Sequence, residues 1–249
     1  MKLAVVADIH GNVLALEAVL ADLKCEAPDT VVNLGDCASG PLWPEETAAV
    51  LRETNWPTVR GNHDRVIAAG NIPPENRTDS FTIAHLSTES LTWIQGLPPV
   101  IQLSDDILLC HGTPDSDVSY LTENVIGDSL HRADLDTIRS RLLGNDTPLI
   151  CSGHTHIQRL ITLTASRQTI INPGSVGLPG YSDDTPVLHK AEAGSPHARY
   201  ALIEQTSDGW QIEMRALTYD WEAAAAEAER NGRPDWATPL RSGFFGQLL

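Results

Sequence analysis

Short apolar runs that stop abruptly at small, polar clusters set the pattern of this chain. Leu3-Ala4-Val5-Val6-Ala7 reads as a strand buried on both faces, and it ends in Asp8-Ile9-His10-Gly11-Asn12. Asn12 suits the N-cap of a helix over Val13 to Lys24, whose Leu16, Leu20 and Leu23 form one stripe. Thr30 to Leu34 predicts a second strand, ending in Gly35-Asp36, and Pro44-Glu45-Glu46 opens a helix to about Glu53. Thr58-Val59-Arg60 predicts a third strand, ending in Gly61-Asn62-His63-Asp64. Arg65 to Ser80 is polar and broken by Pro73-Pro74, which predicts a loop or short helices.

Farther along, Ser87 caps a helix carrying Leu91, Trp93 and Ile94, stopped by Gly96 and Pro98. Val100–Leu103 and Ile107–Cys110 predict a hairpin whose second strand ends in His111-Gly112. A helix over Asp134–Leu143 leads to a strand at Pro148–Cys151, which ends in Gly153-His154-Thr155-His156. A second hairpin is expected between Gln158 and Ile171. Tyr181 to Pro196 lacks periodicity, and Ala198–Ile203 and Trp210–Arg215 alternate around a turn at Asp208-Gly209. Trp221–Arg230 is a good helix, and the tail from Asn231, with Phe244 and Phe245, suggests no chemistry.

Composition adds constraints rather than an answer. At 249 residues, with 41% apolar and 20% charged positions, the chain reads as an ordinary globular α/β protein. Its net charge of −16 argues against unassisted binding to nucleic acid or anionic membrane. With neither a signal-peptide pattern nor a long apolar stretch, a cytoplasmic location is expected. Cys25, Cys37, Cys110 and Cys151 have no motif spacing and read as reduced, buried packing residues. His85, His131 and His189 match no motif and are expected on the surface or in loops.

The strand ends carry the chemistry. Asp8 and His10 are two apart, so their side chains leave an extended segment on the same face. Asp36, the Asn62/His63/Asp64 group, His111 and the His154/His156 pair occupy the other four ends. One such residue alone is a turn former or a satisfied histidine. Oxygen and nitrogen donors at all five strand ends predict a divalent-metal site where α/β sheets place their chemistry.

This set, in this order and continuing into Asn172-Pro173-Gly174-Ser175-Val176-Gly177, resembles the calcineurin-like metallophosphoesterase family, in particular its bacterial branch of small single-domain phosphodiesterases. The resemblance implies two packed mixed β-sheets flanked by helices, in one domain over 1–249. It also implies two divalent metals (manganese, iron or zinc). Asp8, His10 and His156 would hold one, Asn62, His111 and His154 the other, and Asp36 would bridge them. His63 matches the catalytic histidine, and Asp64 would orient it.

Two such metals, about 3.5–4 Å apart, lower the pKa of a bridging water and clamp an in-line displacement at phosphorus. His63 would protonate or stabilise the leaving oxygen. Asp36 is followed by Cys37-Ala38-Ser39-Gly40-Pro41, with no arginine to grip a terminal phosphate dianion, which favours a phosphodiester, or a small monoester, over phosphoprotein. Monoester hydrolysis and a non-catalytic protein-binding scaffold remain as alternatives. The segment from Gly177 to Ala198 is expected to fold over the site as a lid, with His197 or Arg199 reaching a phosphoryl oxygen. A small phosphoester is the expected partner, and the sequence does not set the oligomeric state.

Overall fold

A computed structural model describes residues 1–246. The chain opens with β1 (Lys2–Val6), α1 (Val13–Glu26), β2 (Thr30–Asn33), α2 (Pro44–Thr54), α3 (Asn62–Ala69), α4 (Arg77–His85) and α5 (Thr88–Gln95). It continues through β3 (Val100–Ser104), β4 (Ile107–Cys110), β5 (Glu123–Ile126), β6 (Ser129–Arg132), α6 (Leu135–Arg141), β7 (Leu149–Cys151), β8 (Arg159–Leu163) and β9 (Gln168–Asn172). The last elements are β10 (Gly180–Asp183), β11 (His189–Glu192), β12 (Ala198–Thr206), β13 (Gly209–Leu217), α7 (Trp221–Arg230) and α8 (Pro234–Ser242).

The period of two along β1 explains the layering. Leu3, Val5 and Ala7 join Val32 and Leu34 against Ile107, Leu109, Leu149, Cys151 and Ile171, which closes the space between two sheets. Ala4 and Val6 face the other way, onto Leu16, Val19 and Leu23 of α1. Leu108, Cys110, Ile150 and Ile170 meet Ile138 and Leu142 beside α6 on the far side. The architecture is therefore two packed mixed sheets flanked by helices, as the resemblance implies.

One sheet has the order β13-β12-β1-β2, parallel only between β1 and β2. The other has the order β3-β4-β7-β9-β8, with β4, β7 and β9 parallel. Their parallel strands point their carboxyl ends at one edge, where the site lies. Among the described residues no helix is long and apolar enough to cross a membrane.

Four expectations need correction. Thr58–Arg60 makes only an isolated bridge to Asn33, because Pro57 offers no N–H and the chain turns at once into α3. Asn62, His63 and Asp64 thus form the first turn of a helix rather than a strand end. The aperiodic segment after Gly177 holds β10 and β11, which pair with each other and, through β11, with β6 in a third sheet. The tail beyond Asn231 contains α8, which packs Trp236, Ala237 and Leu240 against α7 and Leu178. Cys25 is exposed, while Cys37, Cys110 and Cys151 are buried free thiols.

The Asn172–Gly177 turn is pressed against the end of β1. Val176 and Gly177 donate to the carbonyls of Ala7 and Asp8, and Ser175 Oγ donates to Asp8 O at 2.7 Å. A Cβ on Gly177 would stand 1.8 Å from the Ile9 carbonyl oxygen. Gly177→Ala is therefore expected to destabilise the fold by about 1–3 kcal/mol, since backbone blocks the added methyl. Urea denaturation checks this, and an unchanged midpoint would show that the turn relaxes freely.

Candidate metal centre and active site

Four of the five clusters singled out in the sequence converge from the ends of β1, β2, β4 and β7, and the fifth arrives on α3. Asp8, His10 and His156 offer donor atoms within 4.8 Å of one another, and so do Asp36, His111 and His154. All six are buried. Asp36 Oδ2 lies between the groups, 3.3 Å from His111 Nε2 and 3.8 Å from His10 Nε2. Asn62 joins the second group, its Oδ1 being 3.0 Å from His111 Nε2.

The backbone is bent to bring these donors together. Asp8, His10, Asp36, His154 and His156 all adopt positive φ, between 51° and 70°. Left-handed conformations of non-glycine residues cost roughly 1–3 kcal/mol each and persist only where surroundings impose them. Here the loops after β1 and β2 are zipped together, with Asp8 N donating to Gly35 O, His10 N to Asp36 O and Gly11 N to Cys37 O.

The donor set fits divalent cations. His10, His111 and His156 each donate Nδ1–H to a backbone carbonyl, of Ser39, Leu34 and Leu178 respectively, at 2.9, 2.7 and 2.6 Å. In His10 and His156 those bonds fix the tautomer and leave Nε2 as the lone-pair nitrogen, the usual preparation of a metal-binding imidazole. His111 Nε2 instead faces Asp36 and Asn62 oxygens, where a cation would take the place of its proton. His10 Nε2 and His156 Nε2 then face each other at 3.1 Å, an unfavourable contact that a cation between them relieves. Asp8 Oδ1 is buried without a hydrogen-bond partner, 3.4 Å from His156 Nε2.

Electrostatics agrees with crowded ligands of both signs. Burial first, then the neighbouring imidazoles, hold His10 down to about 4 and His154 to about 3. Burial also works against charge on His111, but Asp36 and Asp8 outweigh it and push it up to about 10. Burial raises the Asp36 carboxyl, yet His111 and His63 overcome this and keep it well below the usual carboxylate range.

The expected His63–Asp64 pairing is not what the fold provides. Asp64 Oδ2 accepts N–H from Asp36 and Gly61 at 2.8 and 3.0 Å, and Oδ1 accepts from Cys37 N at 3.1 Å. As the third residue of α3, Asp64 is committed to capping that helix and pinning the Asp36 loop. His63 Nδ1 instead donates to Asp79 Oδ1 at 2.8 Å, from the first turn of α4. Asp79 also accepts from Ser39 Oγ and Asn76 Nδ2, so its own orientation is fixed. The sequence signal for it was Asn76-x-x-Asp79, a helix-start pattern.

A cavity of about 750 Å³ opens above the clusters. Its floor includes His10, Asp36, Asn62, His63, His154 and His156. Tyr181 and its neighbours on β10 form one wall, and Arg233, Asp235 and Trp236 at α8 form another. The segment expected as a lid therefore does border the site, but His197 and Arg199 do not. Arg199 is buried, donating to the carbonyls of Ala193, Ser195 and His197, and the His197 ring lies beside Trp221. Both follow the Gly194-Ser195 turn into β12, whose start points them away from the cavity. His189, expected on the surface or in a loop, is buried at the start of β11 and bonded to Tyr120 at 2.8 Å.

Comparisons with known proteins place this geometry. The chain is 26% identical to a metallophosphoesterase from Sphaerobacter thermophilus of known structure, covering 98% of this chain and 99% of that one, with a TM-score of 0.77. A hypothetical protein from Pyrococcus horikoshii shares the fold at 18% identity, covering 97% and 98% of the two chains with a TM-score of 0.75. An uncharacterized protein from Methanocaldococcus jannaschii is 26% identical over 257 residues, covering 94% of each chain. Residues 1–194 match the calcineurin-like phosphoesterase superfamily domain. That match spans most of the chain and every residue of both donor clusters, so the chain belongs to the calcineurin-like phosphoesterase superfamily, a family of phosphoester hydrolases that use divalent metals.

Proposed function

We propose that the chain is a metal-dependent phosphodiesterase, acting as a single domain on a small substrate. The observation that carries this reading is the pair of adjacent buried donor clusters, with Asp36 Oδ2 between them and His63 beside them on one cavity floor. Asp8, His10 and His156 would hold one cation, and Asn62, His111 and His154 the other, with Asp36 between. When bound, two divalent cations neutralise phosphoryl charge and activate a water as the nucleophile.

The chain's own residues supply the rest. His63 Nδ1–H is tied to Asp79, which leaves Nε2 to carry a proton to the leaving oxygen. Burial disfavours the imidazolium, but Asp79 and Asp36 overcome this and raise His63 to about 9 in the metal-free protein, which favours the protonated form. Asp36 Oδ1 also accepts His63 N–H at 3.0 Å, which couples the acid to the proposed bridging carboxylate. Asp64 acts indirectly, by holding the Asp36 loop.

Phosphomonoester hydrolysis has one observation in its favour, since Arg233 brings to the cavity wall the cation that the Asp36 loop lacks. The intact His63–Asp79 pair counts against a purely scaffolding role. Chelator-stripped protein is expected to gain hydrolysis of an aryl phosphodiester, at least roughly a hundredfold, on adding manganese, iron or zinc. A screen of aryl diesters, 2′,3′-cyclic nucleotides and monoesters decides substrate class. A higher kcat/KM for monoesters would replace the diester reading, and no turnover with any metal would remove the enzymatic one. The net charge of −16 and the buried thiols fit a cytoplasmic protein that does not bind nucleic acid.

A further inference from the structure

The outer wall of the cavity presents one cation. Among the described residues lining it, Arg233 is the single arginine or lysine, and it lies beyond the 1–194 region of the family match. It sits at the N-cap of α8, beside Pro234 at the first helical position.

Its guanidinium is held in place before any ligand arrives. Nε and Nη2 donate to the two oxygens of Asp235 at 3.0 and 2.7 Å, and Nη1 donates to Thr78 Oγ1 at 2.8 Å. The group lies 5.6 Å from the ring centre of Trp236, whose ring in turn stands edge-on to His10 at 6.0 Å. Thr78 adjoins Asp79, the partner of His63. Of the five N–H groups of an arginine, these contacts use three. One N–H on each terminal nitrogen is left without a partner among the described residues. Two fixed donors at the wall of a cavity floored by the donor clusters match the oxygens of an anion.

We propose that Arg233 is a specificity-determining residue that binds an anionic oxygen of the substrate. The oxygen belongs either to the scissile phosphoryl group or to a second phosphate farther along the molecule. The proposal rests on the phosphoesterase reading above. Glu75, Asp183 and Asp184 also line the cavity, and among its described arginine and lysine residues Arg233 alone offers an anion a charged contact. The chain thereby obtains from its C-terminal helix the arginine that is missing after Asp36.

The test uses manganese-loaded protein, an aryl diester with one phosphate and a dinucleoside pyrophosphate with two. Arg233→Gln is expected to raise KM roughly 10–100-fold with kcat changed less than about threefold. Arg233→Lys is expected to restore little of this, because one ammonium lacks the planar fork. An effect on both substrates assigns the contact to the scissile group, and an effect confined to the pyrophosphate assigns it to the second phosphate.

Calorimetry with inorganic phosphate gives a readout independent of turnover, with binding about tenfold weaker or more in Arg233→Gln. Asp235→Asn keeps the guanidinium but removes its competing carboxylate, and it is expected to tighten phosphate binding by about threefold. That opposite sign keeps the test decisive even if Arg233→Gln does not fold. Unchanged KM on both substrates, or weaker phosphate binding in Asp235→Asn, would overturn the proposal. Wild-type protein that binds phosphate through Arg233 yet hydrolyses neither substrate would instead refute the phosphoesterase reading alone.

Discussion

Asp36→Ala is expected to abolish metal binding and hydrolysis together. Its Oδ2 lies between the two donor clusters, 3.3 Å from His111 Nε2 and 3.8 Å from His10 Nε2, and its Oδ1 receives the backbone N–H of His63. Without it, Asp8 is the one carboxylate left among the clustered donors, with four imidazoles around it. A methyl group cannot replace that anionic charge in a buried pocket, so the affinity of both positions falls. In wild-type protein, manganese at about 100 times Kd stabilises the folded state by about 2.7 kcal/mol. For a chain of this size that is a rise in Tm of roughly 5–11 °C. The alanine variant is expected to show almost no metal-dependent rise and less than about 1% of the wild-type kcat/KM. Metal content measured on the same samples separates binding from chemistry. Two metals bound per chain in the variant would refute the bridging assignment.

The layered fold was legible because its inner strands are buried on both faces and read as unbroken apolar runs. Leu3–Ala7 is the clearest, dividing its side chains between two cores. The third sheet was not legible, since β5, β6, β10 and β11 are short and largely half-exposed, with residues such as Ser129, His131 and Tyr181 in place of alternating aliphatics. α8 was hidden by Pro239 within it and by polar residues at its ends.

The donors of the site were legible by type and position, because a strand end fixes where a side chain emerges. Their partners were not. Asp64 is adjacent to His63 in sequence, yet a helical turn carries neighbouring residues to different faces. Asp79 meets His63 only because α4 packs against α3. The same holds for Trp236 beside His10 and for Arg233 on the cavity wall, more than 200 residues from the first cluster. Such contacts depend on tertiary packing, which periodicity does not encode. Basic residues near a proposed lid suggested His197 and Arg199, but the β12 start turns both toward backbone carbonyls and Trp221.

His63→Gln is expected to keep both metals and lose roughly 10²–10⁴-fold in kcat, the range for a general acid. Glutamine retains a polar side chain next to Asn62 while removing the transferable proton. The loss should be larger for an alkyl diester than for an aryl one, because a poor leaving oxygen depends more on protonation. Asp79→Asn tests the pairing that replaces the Asp64 expectation. Burial lowers the His63 pKa, and Asp79 is the largest influence raising it, so the variant's imidazolium should lose its proton at lower pH. A general acid works below its pKa and fails as pH rises through it. The alkaline limb of the kcat profile should therefore move to lower pH in Asp79→Asn, with turnover near neutrality falling roughly ten- to hundredfold. Asp64→Asn, acting on the Asp36 loop through backbone N–H groups, should lower metal affinity and move that limb less, since Asp64 raises His63 by less than Asp79 does. A limb that shifts in Asp64→Asn but not in Asp79→Asn would return the orienting role to Asp64.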